Sequence, residues 1–214
     1  MKKIQIKDKE SWKEFILNEA NYNVPEECQG GLCVDAGCNI GDFEMNHKDR
    51  FDKYICFDVF DENIEECKKN TSELNLNVEV YKNAVWSISG KKIPVMAYKP
   101  SDTDELNHFG NSGNIGCVEI KGEHEQGWFI ENTIDLVESI SIEDIIERHG
   151  VINVLKVDVE GSEYEFLLNK DLSKINYIVG EFHFSDLQKT ELIEWIKKSH
   201  NQIDECVFVS KNIL

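Results

Sequence analysis

The chain has 214 residues, room enough for one domain with a sizeable core, and carries a formal net charge of −18. So acidic a protein is a poor general binder of nucleic acid or anionic membrane, because phosphates are held by Lys and Arg that release counterions. Seven cysteines with no C-x-x-C pair give neither a disulfide framework nor a zinc motif. With no apolar stretch long enough to span a bilayer and no leader-like N-terminus, the expectation is a soluble, cytoplasmic protein.

In chain order, Ser11 to Ala20 places Trp12, Phe15 and Ile16 on one helical face. With the loop around Pro25 and Gly30-Gly31 it forms an N-terminal unit, residues 1–30, expected to pack on a domain of residues 31–214. Leu32 to Ala36 reads as a buried strand, Ile40 to Lys48 as a helix and Tyr54 to Asp58 as a second strand. A helix over Asp61 to Leu74 and a strand over Val78 to Tyr81 follow. The pattern loosens from Ser87 to Thr133, where glycines punctuate two β-prone runs, Pro94 to Tyr98 and Ile115 to Ile120. Regularity then returns. Leu136 to Ile140 is β-prone, and Ser141 to His149 is a helix with Ser141 as N-cap and Asp144 at the capping-box position. Val151 to Asp158 is a strongly apolar strand, Ser162 to Asn169 a helix and Tyr177 to Phe184 a strand. Asp186 to His200 reads as one helix, and Cys206 to Val209 as the last strand. This alternation predicts βαβ units, a mainly parallel central sheet and helices on both faces. Ligands of such sheets bind beyond the carboxyl ends of the strands.

Three segments fall at those ends. In Asp35-Ala36-Gly37-Cys38-Asn39-Ile40-Gly41 the glycines permit a tight turn and close approach of a ligand. The spacing is not the dinucleotide G-x-G-x-x-G, which disfavours a pyrophosphate cradle, while the acidic strand residue suits a ligand bearing an ammonium group. Asp58 ends the next strand, in register to accept hydrogen bonds from the ribose hydroxyls of an adenosine-containing ligand. Asn83 stands beyond the third strand, where it faces an adenine edge or simply satisfies a turn. In Leu155-Lys156-Val157-Asp158-Val159-Glu160-Gly161-Ser162-Glu163, Lys156 sits inside a buried strand and needs an anionic partner, for which Asp158, Glu160 and Glu163 are on offer. Glu181 and His183 end the following strand. Carboxylates and an imidazole converging there suit a general base, a divalent cation or a plain ion-pair network around Lys156.

These segments, together with Asn63, Asn83-Ala84-Val85 and Ser141-Ile142-Glu143-Asp144-Ile145-Ile146, resemble the FkbM family of methyltransferases over roughly residues 31–184. The Asp-Val-Glu-Gly-x-Glu run is the most specific of them. The resemblance implies a Rossmann-like class I methyltransferase fold and S-adenosylmethionine as cofactor. It would line the methionine and ribose part of the cofactor with Asp35, Gly37, Asn39 and Gly41, hold the ribose with Asp58 and set Asn83 and Ala84 by the adenine. Asp58-Val59 replaces the family's usual Glu-Pro, which shortens the carboxylate arm, and Cys38 replaces the usual Ala or Val. The sheets of such enzymes commonly finish in an antiparallel hairpin, of which the sequence shows only the strand ending at Val209.

Family members commonly methylate oxygens of sugars or secondary metabolites, so the expected reaction is O-methylation of a small-molecule or glycan acceptor. Asp158, Glu160 and His183 are the candidate base or acceptor-orienting groups, with Lys156 behind them and no resident metal. The glycine-punctuated 87–133 stretch is the candidate acceptor-side insertion, offering His108, Asn111, Asn114 and Trp128. The alternatives are methylation of an amine, a non-catalytic cofactor-binding subunit and, disfavoured by the glycine spacing, an adenine-dinucleotide oxidoreductase.

Overall fold

The computed structural model describes residues 22–97, 115–117, 133–183 and 185–213. The helix expected over Ser11 to Ala20, and His108, Asn111, Asn114 and Trp128, lie outside the described residues.

Runs of β-branched and aromatic residues with little polar interruption form the strands at the centre of the molecule, as buried parallel strands require. They are β1 (Leu32–Ala36), β2 (Lys53–Asp58), β3 (Val78–Lys82), β8 (Ile152–Val157) and β9 (Ile175–Gly180). The sheet is completed by β10 (His200–Asp204) and β11 (Val207–Ser210), in the spatial order β10-β11-β9-β8-β1-β2-β3. All neighbouring pairs are parallel except those made by β11, which runs antiparallel to both β9 and β10.

The hairpin is the largest departure from the sequence reading. The helix expected to reach His200 stops at Ile196, and His200 begins a strand instead. His200 is buried and its Nε2 lies 2.9 Å from the Ile175 carbonyl oxygen, a tertiary contact that local periodicity cannot report.

Five described helices connect the strands: α1 (Asp42–Asn46), α2 (Asp61–Glu73), α3 (Ile142–His149), α4 (Glu163–Leu167) and α5 (Asp186–Ile196). Ser141 caps α3 as the sequence predicts, its hydroxyl accepting from the Asp144 N–H at 3.3 Å. Several expected elements are trimmed by one to a few residues, α1 and α4 to five residues each.

A second sheet has the order β4-β7-β5-β6, from β4 (Ala84–Val85), β5 (Lys92–Ala97), β6 (Ile115–Cys117) and β7 (Thr133–Ile140). The loosened stretch therefore contributes β5 and β6 to this sheet, β5 pairing antiparallel with β7, and Ile93, Val95 and Val137 pack on Ala84 and Trp86.

The main sheet carries two apolar layers. One centres on Val34, Ile55, Leu155 and Phe166, the other on Cys33, Cys56, Phe43 and Val154. Alternate residues of the same strands feed opposite layers, as the two-residue side-chain period demands. The chain moves outward through β1, β2 and β3, then restarts at β8 on the other side of β1. Strand order thus reverses between β1 and β8, and a crevice opens there at the carboxyl ends.

Candidate active site

A cleft occupies this reversal point. Its walls come from the β1–α1 turn (Gly37, Asn39, Asp42), the end of β2 (Asp58, Val59), Asn83 and Val85, the β8–α4 turn (Asp158 to Ser162), and Tyr22.

The β1–α1 turn depends on glycine at one place above all. Gly37 has φ 85°, and a Cβ built on it would stand 1.8 Å from the Asp158 carbonyl oxygen. No side chain fits, so the two turns that flank the cleft can approach only because this residue has none. Asn39 also adopts a left-handed conformation, φ 48°, and its backbone N–H donates to Asp58 Oδ2 at 2.9 Å. Asn39 Oδ1 is buried with no hydrogen-bond partner, as is Ser162 Oγ on the opposite wall. Orphaned polar atoms in a cleft wall mark where a polar ligand completes the bonding.

Asp58 is held firmly. Its Oδ1 accepts from the N–H groups of Val59 (2.8 Å) and Phe60 (3.0 Å) and from Asn63 Nδ2 (3.2 Å). Burial pushes its pKa up to about 6 against these bonds. With Oδ1 saturated, the lone-pair capacity left for a ligand belongs to Oδ2.

Lys156 is 2% exposed and does not pair with the carboxylates that follow it in sequence. In register on the adjacent strand stands Asp35, 0% exposed, whose Oδ1 lies 3.1 Å from Lys156 Nζ. Lys156 Nζ also donates to the Gly37 carbonyl at 2.6 Å. Burial opposes the charge on Lys156, but Asp35, Tyr22, Asp158 and Asp42 together outweigh burial and hold the ammonium well above its ordinary pKa. Asp35 thus fixes Lys156 and, through it, the turn; it does not line the cleft wall, and neither do Gly41 and Ala84. Gly41 instead packs on α2, where an added Cβ would meet Cys67 Sγ at 3.1 Å. Asn83 reaches the cleft and anchors itself by donating from Nδ2 to the Glu138 carbonyl at 2.9 Å.

The Asp-Val-Glu-Gly-Ser-Glu run has a physical logic. Glu163, fully buried, accepts from the N–H groups of Val159 (3.2 Å) and Gly161 (3.0 Å) and so shapes the turn in which Glu160 takes φ 51°. Glu163 Oε1 also lies 2.9 Å from His183 Nδ1. Around the same imidazole stand Glu181 at 3.3 Å, Asp158 at 3.7 Å and Glu160 at 3.9 Å. Burial disfavours the imidazolium, but the Glu163 and Glu181 carboxylates prevail and push the His183 pKa up to about 11. At that value His183 is charged at neutral pH, a state in which both ring nitrogens carry protons. Glu160 is the opposite case: burial, with Asp158 and Glu163 near it, raises its pKa to about 7 despite His183.

Two cleft residues escaped the sequence reading. Tyr22 donates its hydroxyl to Asp158 Oδ2 at 2.6 Å, with its ring 5.2 Å from Lys156 Nζ. Nothing in the local sequence announces that long-range placement. Asp42, whose pKa burial raises to about 7, follows the glycine turn directly, and its position there was a usable signal.

Fold and cleft together define a Rossmann-like α/β domain with a ligand cleft at its switch point. The model of the Methyltransferase FkbM domain matches residues 35–208, most of the chain, and the protein belongs to that family. No curated protein matches. Among solved structures, the chain is similar to M. capricolum TrmK in complex with S-adenosyl-homocysteine, at 11% identity and TM-score 0.48 over 92% of this chain and 68% of that one. Methyltransferase FkbM from Methylobacillus flagellatus KT gives 14% identity and TM-score 0.46 over 84% of this chain, which spans 43% of that protein. The YcgJ protein from Bacillus subtilis gives 17% identity and TM-score 0.26 over 34% of this chain and 30% of that one. No described helix is long and apolar enough to cross a membrane.

Proposed function

We propose that the protein is an S-adenosylmethionine-dependent methyltransferase that methylates a hydroxyl of a sugar, glycan or small secondary metabolite. The observation that carries this reading is the Asp58 carboxylate, fixed at the end of β2 with Oδ2 turned to a cleft whose walls hold the unpaired Asn39 Oδ1 and Ser162 Oγ. Such a wall suits a ribose diol and the polar end of an amino acid. Asn83 and Val85 flank Asp58 on the side where a flat base fits.

The bound cofactor supplies an electrophilic methyl on a sulfonium. Transfer from a sulfonium is an in-line displacement, so the chain's work is to hold the acceptor in line and take its proton. Glu160 is suited to the second task, because a carboxylate with pKa about 7 is ionised in part at neutral pH and basic enough to accept a hydroxyl proton. Asp158, fixed by Tyr22, orients the acceptor, and the charged His183 holds the carboxylates around it in place. Lys156 and Asp35 act at one remove, by fixing Gly37. The part-exposed carboxylates of Asp158, Glu160 and Glu181 also favour a cationic acceptor, which keeps an amine as the second reading.

Isothermal titration against S-adenosylhomocysteine and NAD tests the cofactor, with binding of the first alone expected. Methyl transfer from labelled S-adenosylmethionine to matched panels of glycosides, hydroxylated metabolites and amines then tests the acceptor. Labelling confined to the amine panel would overturn O-methylation.

A further inference from the structure

Behind the β1–α1 turn, on the face of the sheet away from the cleft wall, lies a set of side chains that methyl transfer does not use. Cys56 from β2, Cys67 from α2 and Glu44 from α1 are all buried, and one donor atom from each lies within 4.8 Å of the others. The Cys38 thiol, from the turn itself, is hydrogen-bonded with those of Cys56 and Cys67. Cys56 Sγ donates to Glu44 Oε1 at 3.2 Å, and the Glu44 carboxyl also shares a hydrogen bond with the buried carboxyl of Asp35.

Thiols alone in such a layer would need no comment, since a free cysteine packs as a small hydrophobe. Glu44 is what packing does not account for. A second carboxyl at 0% exposure, set beside Asp35 whose charge Lys156 already offsets and with a thiol as its other, weak donor, is costly to ionise unless a further cation stands near it.

We propose that Cys56, Cys67, Glu44 and Cys38 form a structural zinc site that fastens the β1–α1 turn to α2. Thiolate donors select zinc over magnesium or calcium, and three sulfurs with one carboxylate oxygen fill a closed tetrahedral shell. The Glu44, Cys56 and Cys67 donors already lie within 4.8 Å of one another, and the Cys38 thiol, hydrogen-bonded to both cysteines but outside that spacing as a set, turns inward to complete the shell. Loading exchanges the thiol and carboxyl protons, which pass to solvent, for the metal. The donors come from four separate elements, so the spacing in the chain carries no zinc signature. Their burial means that the ion enters as the protein folds.

The test is the full-length protein produced in cobalt-supplemented and in zinc-supplemented minimal medium, kept reduced with a phosphine. We expect one metal per chain, a near-ultraviolet thiolate-to-cobalt charge-transfer band with tetrahedral visible bands, and a higher melting temperature for the loaded protein. Cys56→Ser should abolish the charge-transfer band or weaken metal retention roughly 100-fold against a chelator. Glu44→Gln, which preserves side-chain shape should the serine variant fail to fold, should weaken retention and change the visible bands. Cys206→Ser, outside the cluster, should leave both unchanged. The proposal is overturned by metal-free protein from either medium, by bound cobalt with no charge-transfer band, or by a band that survives both cluster substitutions. None of these readouts depends on which acceptor is methylated.

Discussion

Two residues of the cleft carry charges that their neighbours, rather than their own chemistry, decide. Because the pKa of Glu160 is about 7, kcat/KM for the methyl acceptor should rise with pH through about 7 and level off above it. Glu160→Gln should lower kcat by roughly 100-fold or more and flatten that limb, while S-adenosylhomocysteine affinity measured by calorimetry stays within about threefold. Lys156 makes a different prediction. Lys156→Met leaves the Asp35 carboxyl buried without its cation and should cost about 3–5 kcal/mol in urea unfolding. Combining it with Asp35→Leu should recover part of that loss; a double variant no more stable than Lys156→Met would refute the pairing. The sequence showed that Lys156 needed a partner and offered three, all on its own segment. The actual partner sits on the neighbouring strand, and strand adjacency is not written in either segment.

Among the elements, the β1–α1 turn and the β8–α4 turn are a single construction, because each carries a group the other depends on. The Asp158 N–H donates to the Ala36 carbonyl at 3.0 Å, and Lys156 Nζ reaches the Gly37 carbonyl. Gly37→Ala should therefore cost about 3 kcal/mol or more, from left-handed strain on the order of 1–3 kcal/mol plus the displacement of the Asp158 backbone. Urea unfolding would show it, and binding of S-adenosylhomocysteine should weaken in parallel. Retention of wild-type stability would mean that the two turns are not in contact. Element types were legible wherever packing agreed with periodicity, as for Leu32 to Ala36, Asp61 to Leu74 and the Ser141-capped helix. They were misread at His200, where a buried imidazole bonded to the β9 strand overrides a helical pattern that continues past Ile196.

For the molecule as a whole, acidity and buried carboxyls set the response to pH. Asp42, Asp58 and Glu160 have folded-state pKa values of about 7, 6 and 7, above the range near 4 of carboxyls in an unfolded chain. The folded state holds these protons more tightly, so their contribution to stability is full below about pH 4 and is lost as pH rises through 6 to 7. Urea midpoints should fall between pH 5 and pH 7.5, and Asp42→Asn should reduce the drop; a flat profile over that interval would count against the burial of these groups. Repulsion within a chain of net charge −18 acts in the same direction and is screened by salt. By itself, the sequence determined the class of fold, the family and the segments from which the cleft is built, because those rest on local periodicity and on turns whose glycines sit close together in the chain. The tertiary structure alone decided that Asp35 faces Lys156 rather than the cleft, that His183 sits among four carboxylates, that Tyr22 closes the wall and that Glu44, Cys56 and Cys67 share one buried corner. Each of those outcomes depends on which strands lie side by side and on how much water reaches a charged group, and neither quantity is local to any stretch of sequence.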